Sequence, residues 1–262
     1  MIELSGGRRQ AIYLEKDCVY RPWNSWSDSV HLLLNYLQAQ GFTQSPRFLG
    51  QSEQGQEILS FIDGDVYNYP LQGPIASETA LVSAAKLLKQ FHQHSASFLK
   101  TIDYKSLPWM LESNEPIELV CHGDFSPYNV ALRGELVVGV FDFDTAHPGS
   151  GLWDVAYAVY CWAPLKTGTV ASIGTGLNRW PQQLRRARIF CDNYGLNAKQ
   201  RRRLPSLMAK RLQALVNFML KQASAGESCF IENVEHGHHL GYLADIDYIN
   251  AHADELIDGL LN

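Results

Sequence analysis

Two short, mainly apolar runs lie near the start of the chain, over residues 11–15 and again from Cys18 to Arg21, and each ends in a charged residue. Short runs with β-branched and aromatic residues are typical of β-strands. The Lys16-Asp17 pair between the two runs is short enough to form a two-residue hairpin turn. The chain is therefore predicted to open with a β-hairpin.

The apolar spacing then changes to that of a helix, with Val30, Leu33, Leu34 and Leu37 on one face. Ser27 or Asp28 is expected to cap its start and Gly41 to end it. Two further strands are predicted at 47–50 and 57–62, joined by a polar turn at Gln54-Gly55. The first sixty residues thus predict the order strand, strand, helix, strand, strand.

The rest of the chain is predicted to be mainly helical, with a short β-region in its first half. A helix is expected near 77–95, strands at 118–121 and 135–141, and helices from Gly151 to the end. We interpret this as an α+β chain with a small lobe, residues 1–63, and a larger lobe, residues 64–262. No internal repeat is visible.

Composition narrows the class of protein. The 262 residues are 46% hydrophobic with a net charge of -5, which suits a large globular core and argues against a nucleic-acid-binding protein. Five cysteines without metal-ligand spacing suggest reduced thiols. There is no signal-like apolar run at the start and no apolar stretch of about 20 residues. We therefore expect a cytoplasmic protein that does not contact membranes or nucleic acid.

The candidate chemistry lies in two polar motifs, His-Gly-Asp-Phe-Ser-Pro-Tyr-Asn at 122–129 and Phe-Asp-Phe-Asp at 141–144. Phosphoryl transfer needs a carboxylate to orient an acceptor hydroxyl, and oxygen ligands for a magnesium ion on the phosphates. Asp124 lies in a loop where Gly123 permits close backbone approach, and Asn129 can fold back beside it. Asp142 ends an apolar strand, and Asp144 points the same way if that strand continues.

These motifs resemble those of the aminoglycoside phosphotransferase and choline kinase family, which has a two-lobed protein-kinase-like fold. The match is densest over 118–160, where a Pro-Gly turn at 147–149 and the Trp153-Asp154 pair follow the two motifs. The resemblance implies a kinase that uses ATP or GTP with Mg²⁺. It makes Asp124 the catalytic base and Asn129, Asp142 and Asp144 metal ligands. It also suggests that Asp154 holds the catalytic loop and that His122 orients it.

The resemblance carries over less completely to the small lobe. Gly6 and Gly7 are the candidates for a loop that covers the nucleotide phosphates. Arg21 stands where the family has a phosphate-binding lysine, and no Glu follows in the next helix to pair with it. The backbone of Ser60, Phe61 and Ile62 is expected to meet the adenine edge.

The sequence leaves the acceptor unnamed. After Lys221 the chain has acidic residues but no Lys or Arg. That asymmetry would favour a cationic acceptor such as an aminoglycoside or an amino alcohol, or it reflects solvated helix faces. Two alternatives remain at this point. One is a kinase-like module without turnover. The other is a haloacid-dehalogenase-like phosphatase with Asp142 as nucleophile, since residues 141–145 also resemble that motif.

Overall fold

The computed structural model describes residues 2–4, 12–167 and 176–262. Gly6 and Gly7, the candidates for the phosphate-covering loop, lie outside these residues.

The small lobe is an antiparallel sheet with one helix packed beside it. Within the described residues, the strand order in the sheet is β1-β2-β3-β5-β4. The elements are β1 (Ile2–Leu4), β2 (Ile12–Glu15), β3 (Cys18–Arg21), α1 (Ser27–Ala39), β4 (Phe48–Gln51) and β5 (Glu57–Ser60). The predicted order of strands and helix is confirmed, and β1 is an additional strand that was not predicted because it has only three residues.

Helix α1 buries the predicted apolar stripe. Val30, Leu33, Leu34 and Leu37 are each at most 3% exposed. Removing such side chains from water contributes about 1.5–3 kcal/mol each, which fixes the helix on the sheet and the larger lobe. The predicted cap was wrong, since Trp26 precedes the helix and makes no side-chain capping bond. The Ser27 hydroxyl instead accepts a hydrogen bond from the Asn24 N–H at 3.0 Å.

The connection between the lobes begins where β5 ends. The predicted strand over 57–62 stops at Ser60. Three residues after Ile62, Asp65 exchanges both backbone hydrogen bonds with Leu132 of the larger lobe, each at 2.8 Å. These contacts lie on either side of residue 63, and the lobe boundary at that residue stays a prediction.

The larger lobe is mainly helical and carries two short antiparallel strand pairs. Strand β6 (Leu119–Cys121) pairs with β9 (His147–Gly149), and β7 (Val130–Arg133) pairs with β8 (Leu136–Val140). The helices are α2 (Glu78–Leu99), α3 (Gly151–Trp162), α4 (Trp180–Tyr194), α5 (Ala198–Ser224), α6 (Ser228–Glu235), α7 (His238–Ala251) and α8 (Ala253–Leu261). Among the described residues, each helix is too short or too polar to cross a bilayer.

One predicted turn is in fact a strand. His147–Gly149, expected to be a Pro-Gly turn, forms β9 and continues a ladder with β6. The Gly149 carbonyl accepts a hydrogen bond from the Glu118 N–H, and the Pro148 carbonyl accepts one from the Asn114 N–H. This pairing brings the start of α3 next to the catalytic motif that follows β6.

Candidate active site

The loop after β6 is held by a buried carboxylate from α3. Asp154 accepts hydrogen bonds from the backbone N–H groups of His122 at 2.7 Å and Gly123 at 2.9 Å. From α5, Arg211 donates to the Gly123 carbonyl at 2.7 Å. The loop is thus fixed through both its donors and its acceptors, and the structural role predicted for Asp154 is confirmed.

The charge of Asp154 is stabilised inside the protein. Burial alone would raise the pKa of this carboxyl. The hydrogen bond from His92, at 2.9 Å, the electrostatic attraction of this ring, and the His122 N–H outweigh burial and hold the pKa well below its usual range. His92 is in turn fixed by the Tyr194 hydroxyl at 2.7 Å. This chain of contacts ties α2, α3 and α4 to the loop.

His122 orients the loop with its ring. Its Nε2 is 3.0 Å from the Phe141 carbonyl oxygen, and its Nδ1 accepts from the Asp124 N–H at 3.3 Å. Burial lowers the pKa of His122, which favours the neutral ring. A neutral imidazole with its proton on Nε2 satisfies both contacts, so the ring connects the two motifs, as the orienting role predicts.

Gly123 is required by its backbone conformation. Its φ is +84°, and a Cβ at this position would lie 2.2 Å from the Thr145 carbonyl oxygen. The left-handed conformation and the contact both exclude a larger residue. The close backbone approach predicted at Gly123 is therefore to the turn that follows Asp142, which contains Thr145.

The Asp124 carboxylate lies at the centre of the site. The Tyr128 hydroxyl donates to its two oxygens at 3.0 and 3.3 Å, and Asn129 Nδ2 donates at 3.0 Å. Burial and the nearby charge of Asp142 raise the pKa of Asp124. A carboxylate with a raised pKa is a stronger proton acceptor once it is ionised.

Asn129 joins the two motifs. It lies in a 3-10 turn, Pro127–Asn129, and Nδ2 also donates to the Asp124 carbonyl at 3.0 Å. Its own carbonyl accepts from the Phe141 N–H at 3.0 Å. With Nδ2 directed at Asp124, the side-chain atom of Asn129 that remains as an oxygen ligand is Oδ1.

Asp142 and Asp144 leave strand β8 differently from the prediction. The strand ends at Val140, Asp142 adopts a left-handed φ of 61°, and a 3-10 turn follows over Phe143–Thr145. The expected continuation of the strand to Asp144 was therefore wrong. The turn nevertheless brings both carboxylates to the Arg21 guanidinium. Arg21 pairs with Asp144, and its Nη1 lies 3.6 Å from Asp142 Oδ1.

Arg21 also has an acidic partner in its own sheet. Arg21 on β3 and Glu57 on β5 are register partners, and Arg21 Nε donates to Glu57 Oε1 at 2.5 Å. The other Glu57 oxygen is bonded to His31 of α1. Burial alone would lower the pKa of Arg21, but Asp144, Glu57 and Asp142 hold it above its ordinary value. Glu57 and His31 are functional candidates that the sequence did not identify. The family pattern places the acid in α1, and an acid from elsewhere could not be located, because Glu57 lies 36 residues from Arg21 in the chain.

The linker candidates use part of their backbone within the small lobe. The Ser60 N–H donates to the Arg47 carbonyl at 2.9 Å, and the Phe61 N–H donates to the Asp17 carbonyl at 2.8 Å. Ile62 packs on the larger lobe, since a Cβ on Gly139 would lie 2.5 Å from Ile62 Cγ2. The N–H groups of Ser60 and Phe61 are therefore already used inside the protein.

The oxygen donors of the two motifs are of the type that binds a hard divalent cation. Asn129 Oδ1 and the Asp142 and Asp144 carboxylates are oxygen ligands of the kind that magnesium prefers, usually completed by water and phosphate. No cluster of three His, Cys, Asp or Glu side chains with metal-binding geometry occurs among the described residues. A two-carboxylate site that includes an amide is consistent with that finding.

The acidic residues of the last helices are mostly exposed to solvent. Of those after Lys221, only Asp245 is buried among the described residues, at 5% exposed. Its carboxylate accepts from the Tyr160 hydroxyl at 2.6 Å and from the Thr167 N–H at 2.6 Å. The surface that suggested a cationic acceptor thus consists largely of solvated helix faces.

Comparison with known proteins places this site in a family. Residues 107–190 match the model of the phosphotransferase enzyme family, APH. The chain is 33% identical over 203 residues to the trifolitoxin immunity protein of Rhizobium leguminosarum bv. trifolii, covering 76% of this chain and 75% of the relative.

Solved structures share the fold at low sequence identity. The GDP complex of aminoglycoside 2'-phosphotransferase-IIIa superposes with a TM-score of 0.57 at 14% identity, covering 95% of this chain and 91% of that one. A choline/ethanolamine kinase family protein from Mesorhizobium loti gives a TM-score of 0.55 at 13% identity, covering 96% and 89%.

The fold and the motif define a kinase-like phosphotransferase with a hydroxyl group as acceptor. The chain belongs to the APH phosphotransferase family. This fold excludes the haloacid-dehalogenase alternative, because Asp142 follows an antiparallel hairpin instead of opening an alternating α/β sheet.

Proposed function

We propose that the protein transfers the γ-phosphoryl group of ATP or GTP to a hydroxyl group of a small molecule. The single observation that carries this proposal is the convergence of Asp124, Asn129 and Asp142. Asn129 bonds the Asp124 carboxylate through its side chain and Phe141, next to Asp142, through its carbonyl. Family membership supports the same reaction class.

In this mechanism Asp124 orients the acceptor hydroxyl. The hydroxyl oxygen forms a bond to the γ-phosphorus while the bond to the bridging oxygen of the nucleoside diphosphate breaks. The hydroxyl proton passes to the Asp124 carboxylate, whose raised pKa suits it as an acceptor. Tyr128 occupies both carboxylate oxygens in the structure, so we expect it to yield one to the acceptor.

Charge balance falls to the residues around Arg21. Asn129, Asp142 and Asp144 would hold Mg²⁺, which neutralises charge on the phosphate oxygens during transfer. Glu57 holds Arg21 beside Asp142 and Asp144, so the position of the guanidinium does not depend on a helix glutamate. Removal of any one of these groups should impair turnover more than folding, because the reaction depends on positioning and electrostatics.

The biological role is suggested by a relative. The trifolitoxin immunity protein is 33% identical to this chain over an alignment of 203 residues. We infer that this protein protects against a harmful compound by phosphorylating a hydroxyl group of it. Cationic acceptors, one of the two interpretations of the acidic stretch after Lys221, remain one class to test.

The test is release of nucleoside diphosphate by the purified protein. ATP and GTP are supplied with Mg²⁺ and a panel of hydroxyl compounds of cationic, neutral and anionic type. We expect acceptor-dependent release that disappears when Asp124 is replaced by Ala. Binding of nucleotide without release for any acceptor or water would instead favour the kinase-like module without turnover.

A further inference from the structure

The Asp124 carboxylate is bordered by a group of phenol rings. The acceptor hydroxyl must reach this carboxylate, so the side chains around it form the acceptor surface. Tyr128 touches the carboxylate, and its ring lies 6.1 Å from that of Tyr69. We call the following residues the tyrosine wall: Tyr69, Tyr128, Tyr157, Tyr160 and Tyr242.

The wall is both apolar and neutral. Tyr157 and Tyr160 are at most 5% exposed and form its base, while Tyr69, Tyr128 and Tyr242 are partly accessible. Burial raises the pKa of Tyr128 and Tyr157 well above the usual phenol value, so both rings carry no charge near neutral pH. Such rings offer flat apolar surface together with hydroxyl groups.

The wall already contains a cation of the protein. The Lys166 ammonium lies 4.4 Å from the Tyr69 ring centroid and 4.8 Å from that of Tyr160. A cationic ligand would seek the same ring faces, because an aromatic face attracts positive charge. The Arg211 guanidinium covers the face of the Tyr157 ring in the same way, with its Cζ 4.5 Å from the ring centroid. The positions suited to an acceptor cation are therefore partly taken.

The buried carboxylate at this wall is also engaged. Asp245 accepts three hydrogen bonds, from Tyr160 at 2.6 Å and from the N–H and hydroxyl of Thr167 at 2.6 and 2.9 Å. A carboxylate used in this way has little capacity left for a ligand amine.

The sequence around the tyrosine wall is also poor in the acidic residues that would bind a cation. Between Asp154 and Asp192 the chain contains five basic residues and no Asp or Glu. Polycationic compounds are recognised by groups of carboxylates, and this segment supplies none.

We propose that the acceptor of this phosphotransferase is an uncharged or carboxylate-bearing hydroxyl compound with apolar surface, and that Lys166 selects against cations. This inference rests on the proposed function, since it assigns the substrate class of the same site. A carboxylate on the acceptor would be attracted to Lys166, whereas an ammonium would be repelled.

The test measures binding to the full chain loaded with Mg²⁺ and a non-hydrolysable ATP analogue. The probes are three forms of one Phe-Ser dipeptide that differ only in charge, and gentamicin as a polycation. The anionic form is N-acetylated with a free carboxylate, the neutral form has both ends blocked, and the cationic form has a free amine and a blocked carboxylate. Calorimetry gives the four dissociation constants.

We expect the anionic and neutral forms to bind at least about tenfold more tightly than the cationic form and gentamicin. Lys166→Glu should reverse the order of the charged forms. Lys105→Glu is the matched control, since Lys105 also lies over a tyrosine ring, 5.9 Å from the Tyr104 centroid, but on the loop between α2 and β6. It should leave the order unchanged.

Equal binding of the forms, preference for a cation, or no binding of any probe to a chain that binds nucleotide would overturn this inference. None of these results would touch the proposed function. That proposal fails separately, if the chain neither binds the nucleotide nor releases diphosphate with any acceptor.

Discussion

Arg21 and Glu57 face each other across strands β3 and β5, and their side chains form an ion pair with a contact of 2.5 Å. The sequence suggested that the partner of Arg21 should come from the following helix, which has no Glu. The structure supplies the acid from the neighbouring strand, and the helix contributes His31 to the far oxygen of that acid. Glu57, which holds the Arg21 guanidinium, is thus part of the sheet.

The first prediction concerns this pair. Glu57→Gln should raise the KM for nucleotide, because Arg21 then turns fully towards Asp142 and Asp144. The loss of a hydrogen bond to a charged group should also lower the free energy of unfolding by about 2 kcal/mol. Steady-state kinetics and denaturant unfolding measure the two effects. Glu53→Gln, at an exposed position before β5, is the control. An unchanged KM would show that Glu57 does not position Arg21.

A second prediction concerns the metal ligands. Asn129→Ala or Asp142→Asn should raise the Mg²⁺ concentration for half-maximal activity at least about tenfold, since even outer-shell partners are worth that much in metal affinity. Nucleotide affinity measured with and without Mg²⁺ gives a second readout. The gain from Mg²⁺ should shrink in both variants. Asp63→Asn, on a side chain that is 83% exposed, should behave like the unmodified protein. Normal Mg²⁺ dependence in the variants would remove both residues from the metal site.

Tyr128 offers a prediction on pH dependence. Its hydrogen bond stabilises the ionised form of Asp124 and so lowers the pKa of that group, against the raising effect of burial and Asp142. Tyr128→Phe removes the donor and should raise the pKa. Because the base acts when ionised, the acidic limb of kcat/KM should move to higher pH, by up to about one unit. Tyr36→Phe is a control on α1. If the acidic limb of kcat/KM stays at the same pH in Tyr128→Phe, ionisation of Asp124 does not control that limb.

Asp154 yields a prediction on stability. Its pKa is lower in the folded state than in the unfolded chain. The stabilisation is therefore complete above the unfolded pKa of about 3.9 and is lost as the pH falls below it. Asp154→Asn should destabilise the protein at pH 7, and the difference from the unmodified protein should shrink as the pH falls below about 4. Urea unfolding across this range is the measurement. A difference independent of pH would assign the effect to packing alone.

Local patterns predicted much of the architecture. The stripe from Val30 to Leu37 is buried as its spacing requires, and the two polar motifs do converge, because short-range turns fix Asp124, Asn129 and Asp142. These features depend on residues close in the chain, where spacing alone carries the geometry.

Other features depend on contacts between distant segments. Glu57 is 36 residues from Arg21, and only the strand order β3-β5 makes them partners. The strand His147–Gly149 exists because β6 lies beside it, although its Pro and Gly favour a turn locally. The left-handed conformation of Asp142 is likewise imposed by the turn around it. No periodicity in the sequence encodes these pairings.

The central claim is that Asp124 accepts the proton of the acceptor hydroxyl. The most direct measurement compares Asp124→Ala with the unmodified protein in single-turnover phosphate transfer, alongside the Kd for nucleotide with Mg²⁺. The account predicts a transfer rate lower by about 10²–10⁴-fold with nucleotide binding retained. Transfer at the full rate in the Asp124→Ala protein would contradict it.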